Sequence, residues 1–169
     1  VNFFRHRLVG LPVLALTVAA AGCSFSTDDT ASVAVPRPGK AATALCQDLD
    51  QALPRKVDGL GRDDPEPRSA LTAGWGGPAI ILRCGVERPP KMVDPKVAEG
   101  GDADAIAGGV NGVDWLMEKQ KDGSYRFTTA NRRAYVQVTL EKARADESSS
   151  VLVDLAASIK KAIPEGIAD

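Results

Sequence analysis

Apolar positions recur at helical spacing in AATALCQDLDQALP, where Leu45, Cys46, Leu49, Ala52 and Leu53 share one stripe and Pro54 ends the run. This predicts a helix with Cys46 on its core-facing side. Near the other end, VLVDLAASIKKAIP aligns Val151, Leu152, Leu155, Ile159 and Ile163 and stops at Pro164. Between the two, AIILRCGV is the strongest apolar run of the domain, bounded by WGGP and RPP, and reads as a buried strand that carries Cys84. Period-two alternation then appears three times: Val113, Trp115 and Met117; Tyr125, Phe127 and Thr129; Val136, Val138 and Leu140. KDG at 121–123 and NRR at 131–133 separate these runs as turns, so they predict an antiparallel meander.

Val57 to Leu60 reads as a further short strand, and RDDPEP as a turn-rich loop. Residues 91–110, KMVDPKVAEGGDADAIAGGV, are small, acidic and weakly patterned; they read as a long loop with room for one helical turn. ARADESSS is a polar loop whose serines are expected to cap the last helix. The order helix, strands, meander, helix predicts an α+β fold. An antiparallel sheet would carry the N- and C-terminal helices on one face, as a two-layer sandwich. The expected domain is 41–164, followed by a tail at 165–169. Residues 23–40, rich in Ser, Thr, Asp and Pro, read as a flexible tether.

The N-terminus adds a compartment. Arg5, His6 and Arg7 precede an uncharged run from Leu8 to Ala21. That run is shorter than the roughly 20 residues a membrane span requires, and fits the apolar region of a signal peptide. Ala20-Ala21-Gly22-Cys23 resembles the lipobox of bacterial lipoproteins, with Ala20 where Leu is commoner. The resemblance implies cleavage after Gly22 and a diacylglycerol on Cys23. Residues 1–22 would be the signal peptide and the protein would sit lipid-anchored on the outer face of the cytoplasmic membrane. Ordinary signal-peptidase cleavage and an uncleaved anchor are the alternatives. Acyl burial contributes about 0.8 kcal/mol per CH₂, so two or more chains hold a soluble domain without a spanning helix.

Removing residues 1–22 changes the chemistry available. It deletes Arg5, Arg7 and no acid, leaving 19 basic and 22 acidic side chains, a net charge of −3. Nucleic acid is not an expected partner of such a chain. His6 is the only histidine and leaves with the signal. Imidazole acid–base steps, Ser-His-Asp and Cys-His catalysis and histidine-ligated zinc are thereby excluded from the mature chain. Cys46 and Cys84 then remain, and in an exported domain two cysteines are most simply one disulfide. Two buried free thiols are the alternative. No metal and no cofactor is expected.

Several constellations carry candidate chemistry. GWGGPAIILRCGVERP holds Trp75, Arg83 and Arg88, which would form a binding groove in which Trp stacks and Arg pairs an anion; a structural corner is the plainer reading. Glu99, Asp102 and Asp104 offer carboxylates to a hard cation, but Ile106 stands where the next ligand belongs, and a solvated acidic loop explains them. Asp63, Asp64 and Glu66 would suit a glycosidase pair only if they faced each other across a cleft. Ser148 to Ser150 with Lys160 and Lys161 suggest a Ser-Lys dyad, against capping serines and solvated lysines. Arg132 and Arg133 sit in a turn, open to an acidic partner or an anionic headgroup, or simply charged.

CQDLDQALPRKVDG, AGWGGPAIILRCGVERP and VNGVDWLMEKQKDGSYRFTTANRRAYVQV together resemble domain-of-unknown-function family 3515, the uncharacterised actinobacterial lipoproteins. The likeness covers residues 45 to 160 and is most specific in the central WG-P-I-LRCG-P pattern. It implies export and the domain limits, and is silent on activity. The function expected from these readings is non-enzymatic binding of an envelope protein or small ligand. A carboxylate-dependent glycan hydrolase and a purely structural lipoprotein are the alternatives.

Overall fold

A computed structural model describes residues 30–168. The predicted first helix is α1 (Lys40–Ala52), which buries Cys46 and Leu49 and gives way to extended backbone at Leu53, ahead of Pro54. A minimal hairpin follows, β1 (Lys56–Val57) and β2 (Leu60–Gly61). Its two-residue Asp58-Gly59 turn holds both residues at positive φ, 49° and 77°. Thus the single strand expected over Val57 to Leu60 is two strands folded back on each other.

Six strands build the main sheet in the order β3-β4-β8-β7-β6-β5, every neighbour antiparallel. They are β3 (Thr72–Trp75), β4 (Ile80–Cys84), β5 (Ala105–Val110), β6 (Val113–Lys119), β7 (Tyr125–Thr129) and β8 (Val136–Leu140). The meander β6-β7-β8 is as its alternation predicts. A 3-10 turn at Pro90–Val93 and the short helix α2 (Pro95–Ala98) lead into β5. The last helix, α3 (Ser148–Ala162), follows a 3-10 turn at Lys142–Glu147. No helix among the described residues is long and apolar enough to cross a membrane.

Period two sorts the sheet into two faces. One face carries Ala73, Trp75, Ile80, Leu82, Cys84, Val113, Trp115, Phe127, Val136, Val138 and Leu140, and α1 and α3 pack on it. From α3 come Val151, Leu152, Leu155, Ala156 and Ile159, all buried. This is the two-layer α+β arrangement, and a Cys46–Cys84 disulfide joins α1 to β4 through it.

Three details depart from the pattern-based reading. Residues 105–110, expected in a loop, are an edge strand. The Asn111-Gly112 turn, φ 47° and 77°, has the twist that returns a strand onto β6, and glycine meets the positive φ without a Cβ clash. The serines do not cap α3: the N-cap is Glu147, without a side-chain cap bond. The Ser150 hydroxyl lies instead 2.8 Å from Asp58 Oδ1 and 2.9 Å from Glu147 O, tying α3 to the β1–β2 turn. Finally, residues 31–38 are not free of the domain. Val33 N–H donates to Glu66 O at 3.0 Å, Glu66 N–H to Ala31 O at 2.8 Å, and Pro36 is buried.

The disulfide closes a 38-residue separation, a constraint on the unfolded chain that contributes about 4 kcal/mol. Replacing both cysteines by serine should lower the unfolding free energy in urea by about that amount. A loss below about 1 kcal/mol would contradict this account of the constraint. Intact mass should show two hydrogens missing from the oxidised chain, restored on reduction.

Candidate functional site

The same period two that turns Cys84 toward the helices turns Arg83 to the opposite face of the sheet. Register then aligns a polar row across four strands: Thr72 opposite Arg83, Arg83 opposite Gln137, and Gln137 opposite Thr128. The next row contains Thr139, Arg126 and Glu118. One end of this face is covered by Met92 and Val97, which pack on Ala105 and Leu116 in a small second core.

Above β4, β8 and β7 lies a cavity of about 570 Å³, with Arg83, Gln137 and Arg126 among its lining. Pro36 to Gly39, the segment that enters α1, forms part of its wall, as do Val86 and Glu87 beyond β4 and Tyr135 before β8. Gly85 explains how the wall comes so close. Its φ is +83°, and a Cβ there would run into the Pro38 ring. A smaller hollow of about 360 Å³ shares Val86, Glu87 and Tyr135 and adds Arg88.

The arginines of this face differ in their partners. Arg126 makes two bonds to Glu118, Nε to Oε2 at 3.2 Å and Nη2 to Oε1 at 3.3 Å. Arg83 is half-buried; its Nη1 donates to Gln137 Oε1 at 3.5 Å, and its Nε is buried without a partner. Thr128, fully buried in the same row, also has a hydroxyl with no partner. Among the described residues, Glu87 is the one carboxylate lining the larger cavity, and it is exposed.

Of the three residues singled out for binding, Arg83 lines this cavity and Arg88 the adjoining hollow. Trp75 belongs elsewhere. It is 0% exposed on the helix-covered face, and its indole N–H donates to Pro54 O at 3.1 Å. The Arg62 guanidinium lies over its ring, 5.5 Å from the centroid. Trp75 therefore presents no surface on which a ligand can stack. Burial alone pushes the Arg62 guanidinium down, but its bonds to Asp64 and Asp50, with their charges, outweigh this and hold it above the ordinary arginine value.

The other constellations are accounted for by local structure. Asp64 is bound to Arg62 and Glu66 lies beside Arg68, at 3.7 Å, so they do not form a facing carboxylate pair. Asp102 accepts from Asp104 N–H at 2.8 Å and Lys91 Nζ at 3.1 Å. These two bonds, the backbone one first, hold its carboxyl below the usual carboxylate range. No cluster of three or more metal-ligating side chains occurs among the described residues. Lys160 Nζ donates to Asn111 O at 2.8 Å, about three turns of α3 away from Ser150, so no Ser-Lys dyad forms. Cys23 lies outside the described residues.

Arg132 is a buried brace, 5% exposed. It donates to Ile163 O at 3.1 Å and Gly112 O at 2.9 Å, joining the end of α3 to the β5–β6 turn. Period two signals the polar row itself, since Gln137 stands between Val136 and Val138, and Arg126 between Tyr125 and Phe127. Nothing local in the sequence signals the Pro36–Gly39 wall.

A family model described as "Protein of unknown function (DUF3515)" matches residues 8–168. No curated protein matches the chain, and no solved structure does.

The two turn arginines should separate cleanly. Arg132→Ala leaves two acceptor carbonyls without their donor and should cost about 2–3 kcal/mol in urea unfolding, whereas exposed Arg133→Ala should stay within about 0.5 kcal/mol. Equal effects would contradict the assignment of Arg132 as a brace.

Proposed function

The chain belongs to the DUF3515 family, and from that premise we propose that it is an exported, lipid-anchored, non-enzymatic domain that binds a small ligand of the cell envelope in the cavity above β4, β8 and β7. The observation that carries the proposal is the cavity. It is of ligand size, for which pockets run about 300–1,000 Å³. Its lining combines apolar surface from Pro36, Pro38, Val86 and Tyr135 with a few inward polar groups, Arg83 and Gln137 foremost. Such a lining suits binding and orientation more than reaction. General acid–base hydrolysis of a glycan uses two carboxylates about 5–9.5 Å apart, and among the described residues only Glu87 lines the cavity.

An anchor at Cys23 would support the envelope setting. Seven residue steps separate Cys23 from Thr30, the first described residue. At full extension they reach about 25 Å. A diacylglycerol on Cys23 would therefore hold the domain within a short distance of the bilayer. The wall segment Pro36–Gly39 follows that anchor after the stretch that pairs with Glu66.

Two experiments test this reading. Cys23→Ala should release the protein from membranes; a variant that still fractionates with membranes defeats the anchored reading. A photo-crosslinking amino acid at Val86, in cells, should yield an adduct of small added mass on the intact protein, with none at Lys121 on the exposed β6–β7 turn. Adducts of equal yield at both positions, or at neither, would remove the cavity as the ligand site.

A further inference from the structure

Five arginines among the described residues are not exposed: Arg62, Arg83, Arg126, Arg132 and Arg144. Arg62, Arg126 and Arg144 each hold a carboxylate, and Arg132 holds two backbone carbonyls and lies 3.7 Å from Glu165 Oε1. Arg83 alone has neither, only the Gln137 amide at 3.5 Å, the outer limit of a hydrogen bond. A guanidinium keeps its positive charge, and Arg83, half-buried with its Nε enclosed and unpartnered, is best matched by an anion in the cavity.

The surroundings point the same way. Among the described residues, Arg37, Arg83 and Arg126 line the cavity against the single acid Glu87, and Arg126 is already matched by Glu118. This local excess of positive charge sits on a chain whose overall charge is negative. The two buried groups of the polar row that lack partners, Arg83 Nε and the Thr128 hydroxyl, flank Gln137 on either side. The cavity is far larger than one oxyanion, and Pro36, Pro38 and Tyr135 offer it apolar wall.

We infer that the cavity takes a small organic anion, its phosphate or carboxylate oxygens seated on the Arg83 guanidinium and the Gln137 amide and its body lying between the prolines and Tyr135. The inference rests on the ligand-binding reading above and gives that ligand its class. The same oxyanion chemistry can come from a lipid headgroup or from a soluble acid.

The test is a titration of the purified mature protein in detergent, followed by amide chemical shifts and by melting temperature. The probes are phenyl phosphate, short-chain dihexanoyl phosphatidylglycerol and, as neutral control, benzyl alcohol. At least one anion should bind, shift the amides of Gly85, Val86 and Gln137 and raise the melting temperature, while benzyl alcohol does neither. Preference for phosphatidylglycerol identifies a headgroup source, and preference for phenyl phosphate a soluble one. Arg83→Gln should weaken binding about tenfold or more. Gln137→Glu places an internal carboxylate beside Arg83; it should raise the melting temperature of the free protein and weaken the anion by a similar factor. Undiminished affinity in either variant, equal binding of benzyl alcohol, or no binding of either anion at millimolar concentration overturns the inference. If no anion binds but the Val86 crosslinker still captures a small molecule, the anion class fails and the cavity stands as a ligand site.

Discussion

The disulfide between Cys46 and Cys84 is the constraint on which the rest of the molecule depends. It ties the middle of α1 to the last residue of β4 through the core. Because side chains alternate along a strand, drawing Cys84 inward commits Arg83 to the far face. Because α1 begins six residues before Cys46, the same bond positions Pro36–Gly39 at the end of β4, where Gly85 leaves room for Pro38. Floor and wall of the cavity thus descend from one covalent link.

The two faces of the sheet answer to different physics. The helix-covered face gains its stability from apolar burial, about 25 cal/mol for each Å² removed from water. Trp75, Leu82, Val138 and Leu140 are almost wholly enclosed there. The other face is polar and still largely screened from solvent, with Thr72, Glu118, Thr128 and Gln137 all buried. A buried polar face is stable only where its groups satisfy one another. Arg126 and Glu118 do so as a bidentate pair. Arg83 does not, and that local shortfall lies where a cavity opens. On the proposed ligand-binding reading, a bound anion would complete that face, a departure from the logic of the surrounding fold that binding sites commonly show.

Much of this was legible beforehand. Both long helices, the three-strand meander, the buried strand AIILRCGV and the pairing of Cys46 with Cys84 follow from periodicity and cysteine arithmetic. Two strands were not legible from hydropathy. β5, AIAGGV, is an edge strand with four consecutive exposed residues, so burial never imposed an alternating pattern on it. Its real signal was turn chemistry, Asn111-Gly112, and Asp58-Gly59 marked the β1–β2 hairpin in the same way. β3, TAGW, was hidden by its glycine, which lies against the carbonyl of Asp63 where a side chain would not fit. Arg132 looked like a surface charge because a turn position says nothing about two carbonyls contributed from 20 and 31 residues away.

The sequence by itself determined the class of fold, the two cysteines most simply paired and the alternation that makes one face of the sheet apolar and the other polar. These are local or arithmetic properties, set by spacing along one segment. Only the tertiary structure decided that Trp75 is core and Arg83 is not. It also brought the segment before α1 across the end of β4, and left one of five sheltered arginines without a counter-ion among the described residues. Those outcomes depend on which distant segments meet, and partners far apart in the chain leave no periodic trace in it.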